Sequence, residues 1–118
     1  MSPEKAKILL IEDTKEKETI IMNALRGSGH HIVEVIRNRM DAKRRAQTIG
    51  HEAVQVVLLD GNLGYRPGVE DGEEIAADIR QSDPDIGIIN TYNFRRNEQA
   101  DVKIVNNLDK LPEIIDKL

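Results

Sequence analysis

The chain has 118 residues, a formal charge of −4 and no cysteine. That length suits one domain with its own core, and the lack of cysteine excludes disulfides, thiolate nucleophiles and Cys-ligated zinc. The acid excess argues against a nucleic-acid binder, and one Phe, two Tyr and no Trp argue against base stacking.

No apolar run approaches the roughly 20 residues of a membrane span. Met1-Ser2-Pro3-Glu4-Lys5 leads straight into a strand-like segment without signal-peptide character, so a reducing, cytoplasmic setting is expected. Ile8-Leu9-Leu10-Ile11 then reads as a strand buried on both faces. Ile20, Ile21, Ala24 and Leu25 recur at helical spacing, and Gly27 offers a C-terminal stop. Ile32-Val33-Glu34-Val35-Ile36 is β-branched and strand-like, and Ala42, Ala46 and Ile49 trace a second helix closed by Gly50. Val54-Gln55-Val56-Val57-Leu58-Leu59 is the strongest strand, and residues 61–71 form a loop with Gly64, Pro67 and Gly68. Ile75, Ala76 and Ile79 give a third helical stripe. Ile86-Gly87-Ile88-Ile89 is a fourth strand and Val102-Lys103-Ile104-Val105 a weak fifth. Leu108, Leu111, Ile114, Ile115 and Leu118 line a last helix with Pro112 in its first turn.

Strands alternating with helices predict right-handed βαβ units and a doubly wound parallel sheet, whose ligands bind beyond the carboxyl ends of the strands. Glu12 and Asp13 follow the first strand and Asp60 the third, so all three emerge at that edge. Carboxylates converging there repel one another and need shared protons, a cation or both. An all-oxygen donor set favours a hard cation, and Mg²⁺ suits it best because it needs few protein ligands and keeps waters and substrate oxygens. Such an ion, held by Asp13 and Asp60, could bridge an incoming phosphoryl group while an Asp oxygen attacks phosphorus. The plainer reading of each acid is a loop start or a helix cap, and it explains the set of three less well than it explains Asp13 alone.

Leu9-Leu10-Ile11-Glu12-Asp13, then Val56-Val57-Leu58-Leu59-Asp60, then Asp71-Gly72 opening a helix and Asp83-Pro84-Asp85-Ile86 before the fourth strand resemble the receiver domain of two-component response regulators. The likeness runs in order over nearly the whole chain, residues 1–118 as one domain. It implies a flavodoxin-like (CheY-like) five-stranded sheet of order 2-1-3-4-5. It also implies a phospho-acceptor at Asp60, a Mg²⁺-holding acidic pair at Glu12 and Asp13, and a metal-facing backbone carbonyl at Asn62. Thr91 would be the hydroxyl that binds a phosphoryl oxygen; matching Asp83-Pro84-Asp85-Ile86 without a gap puts Tyr92 there instead. The implied partners are a histidine kinase or histidine phosphotransfer protein upstream and an unknown protein or effector domain downstream, with no membrane contact. The domain would assist its own phosphorylation without being a turnover enzyme.

The chain departs from the receiver pattern in several places. Receivers carry a Lys at the end of the fifth strand, usually followed by Pro; here Asn106-Asn107 stand there, and an amide can contact a phosphoryl oxygen but not neutralise it. Residues 92–100 leave room for about one helical turn where receivers place a whole helix. Lys103 occupies the position of the switch aromatic. The loop after Asp60 is longer, with Tyr65, Arg66, Pro67 and Gly68, and Arg66 could replace the missing cation, although a solvated loop Arg is the simpler reading. The basic residues Arg37, Arg39, Lys43, Arg44 and Arg45 are expected to be a solvated helix face or a partner surface, and His30, His31 and His51 surface residues without metal-ligand spacing.

Two functions are thus expected: a working receiver, or a degenerate pseudo-receiver acting as a phosphorylation-independent interaction module. A phosphatase of the haloacid dehalogenase type needs Asp-x-Asp-x-Thr after the first strand, and Ile11-Glu12-Asp13-Thr14 lacks it.

Overall fold

A strand buried on both faces sends alternate side chains to opposite layers, so its sequence dictates what must cover each side. The computed structural model describes residues 6–51, 54–60, 71–91, 100–103 and 108–118. Its elements are β1 (Lys7–Ile11), α1 (Lys15–Leu25), β2 (His31–Ile36), α2 (Arg39–Ala46), β3 (Val56–Leu59), α3 (Asp71–Ser82), β4 (Gly87–Asn90), β5 (Val102–Lys103) and α4 (Leu111–Asp116). Short 3-10 turns lie at Ile49–His51 and Leu108–Lys110.

All strand pairs are parallel and the sheet order is β2-β1-β3-β4-β5, the flavodoxin-like order expected. Leu9, Ile11, Val57, Leu59 and Ile88 pack with Ala42 and Ala46 of α2 and with Ile75, Ala76 and Ile79 of α3. Ile8, Leu10, Val56, Leu58 and Ile89 pack with Ile21 and Leu25 of α1 and with Leu111 and Ile115 of α4. Among the described residues, two helices therefore cover each face.

Several element details differ from the sequence reading. The apolar stripe of α1 is rotated: Ile20 is exposed, and the inward positions are Ile21 and Leu25 with buried Glu18. The second helix ends at Ala46, and Ile49 reaches the core from the separate 3-10 turn. Asn38 starts α2, its side chain accepting from the Asp41 backbone N–H at 2.9 Å. Of the weak fifth strand, only Val102–Lys103 falls within the described residues. The segment expected to lack a full helix, residues 92–100, lies outside them except for Ala100.

His30 is not a surface residue. It is 7% exposed, its Nδ1 accepts the Ala6 backbone N–H at 3.0 Å, and its Nε2 meets Asp116 Oδ1 at 2.8 Å. An Nδ1 that accepts leaves the ring proton on Nε2, which donates to Asp116. The ring thus joins the start of the sheet to α4.

Gly50 lies where the 3-10 turn meets the end of α3. Its N–H donates to Ser82 Oγ at 2.9 Å, and a Cβ there would fall 2.3 Å from the Ser82 carbonyl oxygen at the end of α3. Gly50→Ala must push the two segments apart. We expect a loss of about 1–3 kcal/mol, measured as a lower denaturation midpoint with an unchanged slope.

Candidate functional site

The backbone ladder runs one residue beyond each inner strand. The Glu12 N–H donates to Ile36 O at 2.9 Å, the Asp60 N–H to Ile11 O at 2.9 Å and the Thr91 N–H to Leu59 O at 3.0 Å. These bonds fix Glu12, Asp60 and Thr91 in a row along the carboxyl edge of the sheet. Glu12 is 1% exposed, Asp60 5% and Thr91 0%. Ligand oxygens of Glu12, Asp13 and Asp60 all lie within 4.8 Å of one another.

The cluster is only partly satisfied from within. Glu12 Oε2 accepts from the Thr14 backbone N–H at 3.2 Å and from Thr14 Oγ1 at 3.1 Å. Glu12 Oε1 and Thr91 Oγ1 are buried and have no hydrogen-bond partner among the described residues. Orphaned buried oxygens of this kind are costly unless something else meets them. An all-oxygen pocket with an orphaned carboxylate oxygen fits a hard divalent cation such as Mg²⁺.

Lys17, which the sequence reading passed over, also reaches the cluster. Its Nζ lies 3.7 Å from Glu12 Oε1 and 4.0 Å from Asp60 Oδ1, and it donates to the Thr91 carbonyl oxygen. The available signal was its spacing: Lys17 precedes the buried Ile21 and Leu25 by four and eight residues, so it shares their inward stripe.

Burial, then the charge of Glu12, pushes the Asp60 carboxyl up to about 7; Asp13 adds to the rise and Lys17 opposes it. The Glu12 carboxyl is also raised, chiefly by burial, against the pull of Lys17 and the Thr14 hydrogen bonds. These are the shifts expected of acids crowded together for a ligand that carries positive charge.

Two other expected site residues, Asn62 and Asn106, lie outside the described residues, as do Arg66 and Tyr92. The basic residues near α2 are matched by acids. Arg37 pairs with Glu18 at 2.5 Å, Arg39 with Glu74 at 2.8 Å, Arg44 with Asp41 at 3.8 Å and Arg45 with Glu34 at 2.7 Å. Lys43 contacts Glu74 and also lies 3.7 Å from Asp78. These basic residues are thus engaged in local ion pairs.

No protein-family model and no curated protein matches the sequence; the likeness is to solved structures. The phosphorylated cyanobacterial phytochrome response regulator RcpA is 23% identical with a TM-score of 0.68, covering 97% of this chain and 91% of its own. A CheY-like receiver domain protein from Methanospirillum hungatei JF-1 is 18% identical with a TM-score of 0.74, covering 97% and 93%. The receiver domain of the sensor histidine kinase PA1611 from Pseudomonas aeruginosa PAO1 is 21% identical with a TM-score of 0.72, covering 97% of each chain; it was solved with magnesium in its active-site cleft. The fold is that of a response-regulator receiver domain.

The raised Asp60 carboxyl makes metal-free stability depend on pH. An unfolded aspartate titrates near 4 and the folded one near 7, so the folded chain holds the extra proton over that interval. Stability then falls as pH rises through it. Asp60→Asn removes the buried charge, and we expect it to be about 1–3 kcal/mol more stable than the parent at pH 8 without divalent cations. The gain should vanish near pH 4, as followed by urea unfolding across the range.

Proposed function

We propose that this domain accepts a phosphoryl group on Asp60 from a phosphohistidine of a histidine kinase or phosphotransfer protein, and that the change in charge alters its binding to a partner. The observation that carries this reading is the convergence of Glu12, Asp13 and Asp60 within 4.8 Å at the carboxyl edge of the sheet, along which Thr91 presents a buried hydroxyl that has no hydrogen-bond partner among the described residues.

Each residue has a chemical task in this reading. Asp60 supplies the attacking carboxylate oxygen. Its backbone N–H bond to Ile11 O and the buried Leu58 and Leu59 before it hold that oxygen in place. Glu12, Asp13 and Asp60, with the Asn62 carbonyl implied by the receiver pattern, would hold Mg²⁺. When bound, the ion would neutralise the carboxylates and polarise the phosphoryl oxygens. Thr91 Oγ1 would donate to a phosphoryl oxygen. Asn106, by the same resemblance, would add an amide contact. The domain binds and orients one phosphoryl group and is not a turnover enzyme.

A scaffold that never meets a phosphoryl group has no use for three acids crowded at one buried edge, and such clusters are costly to keep. The reading places the domain in the cytoplasm with its phosphodonor; among the described residues no helix is long and apolar enough to cross a membrane.

Incubation with Mg²⁺ and a small phosphodonor such as acetyl phosphate tests the proposal. Intact-mass analysis should show one phosphoryl adduct that is absent from Asp60→Asn and from a metal-chelated sample. Thr91→Ala should form the adduct roughly tenfold or more slowly. An adduct that persists in Asp60→Asn would place the acceptor elsewhere, and no adduct in the parent would favour the interaction module.

A further inference from the structure

Lys17 sits where a lysine is electrostatically out of place unless acids receive it. It lies in the first turn of α1 (Lys15–Leu25), the positive end of the helix dipole, where acidic residues are favoured. Its stripe, shared with Ile21 and Leu25, faces the sheet. A long helical side chain leans toward the N-terminus of its helix, and this carries the ammonium over the carboxyl edge of β1 and β3. The side chain is 24% exposed, while those of Glu12 and Asp60 are 1% and 8% exposed.

The ammonium is anchored without being locked to either acid. It donates to the Thr91 carbonyl oxygen, a neutral backbone group. Glu12 Oε1 at 3.7 Å and Asp60 Oδ1 at 4.0 Å are within ion-pair range but beyond a good hydrogen bond. A lysine carries three donors, so two remain for whatever oxygens arrive between Asp60 and Thr91. Its anchor belongs to the same residue whose hydroxyl Oγ1 has no partner among the described residues. Ammonium and hydroxyl thus meet at one residue of the carboxyl edge.

We propose that Lys17 is the cation that pairs with the phosphoryl group on Asp60, doing from the first helix what receivers do with a lysine at the end of the fifth strand. This rests on the receiver reading given above. In the transfer, an Asp60 carboxylate oxygen forms the new O–P bond while the N–P bond of the phosphohistidine breaks, and that bonding pair leaves with the imidazole nitrogen. Lys17 stays protonated and passes no proton. The phosphoryl group arrives with nearly two negative charges, more than the carboxylate charge it caps, so the site's demand for cations rises. A divalent cation among Glu12, Asp13 and Asp60 makes the ammonium redundant for Glu12 and leaves it to the phosphoryl oxygens.

The test titrates Mg²⁺ alone, and then beryllofluoride in saturating Mg²⁺, into the parent chain and into Lys17→Met, Lys17→Arg and Asp60→Asn. Amide NMR shifts and calorimetry provide the readouts. Beryllofluoride serves as a phosphoryl mimic on the aspartate carboxylate. Lys17→Met should bind it about ten- to a hundredfold more weakly, the range for losing a charged hydrogen bond. The same variant should bind Mg²⁺ alone as tightly as the parent or more tightly, because a competing cation is gone. Lys17→Arg, which keeps the charge, should stay within about fivefold of the parent for beryllofluoride, and Asp60→Asn should not bind it. Equal beryllofluoride affinity in parent and Lys17→Met overturns the proposal and leaves the receiver reading standing. Loss of both ligands in Lys17→Met overturns it too, since Lys17 would then only support the fold. A parent that takes up neither ligand overturns both readings.

Discussion

The pairing of β1 with β3, Ile11 opposite Leu59, is the constraint on which the site depends. Parallel strands have a side-chain period of two, so a slip of one residue would send every buried side chain to the other face. Here each face has its own set of helices, and neither would accept the other's residues. The register is therefore held by the whole core, and with it the side-by-side placement of Glu12 and Asp60. Repulsion between the two acids acts against a frame that cannot relax by sliding, which keeps the cluster in being.

The acids are countered locally rather than by the chain's overall charge. Lys17 answers Glu12 and Asp60, Arg37 answers the buried Glu18, and Arg39 and Lys43 share Glu74. Most of these pairs are exposed at one partner and contribute little to stability. Their effect is on availability. The basic residues flanking and along α2 are engaged within the domain, whereas the ammonium of Lys17 is directed to the acidic edge.

The fold and the acid cluster were legible because both are written in contiguous signals: apolar runs of four to six residues, two of them running directly into Glu12 and Asp60, with helical stripes between. The strand order, by contrast, was implied by the resemblance to receiver domains that these runs carry. Lys17 and His30 were not legible for a shared reason. Each is defined by partners far along the chain: Thr91, 74 residues from Lys17, and Ala6 and Asp116, 24 and 86 residues from His30. Nothing local to Lys17 separates it from Lys15, which is 77% exposed, except its phase relative to Ile21 and Leu25.

The position of β1 has a consequence for how the molecule opens. β1 is hydrogen-bonded on both sides, to β2 and to β3, and β3 in turn lies between β1 and β4. Such central strands exchange their amide protons last, through openings close to global unfolding, while peripheral elements open in smaller, cheaper fluctuations. Glu12, Asp13 and Asp60 are attached directly to those two strands. Fraying of β5 or of α4 would thus leave the acidic edge assembled, and the outer elements could rearrange around a partner while the chemistry at the centre keeps its geometry.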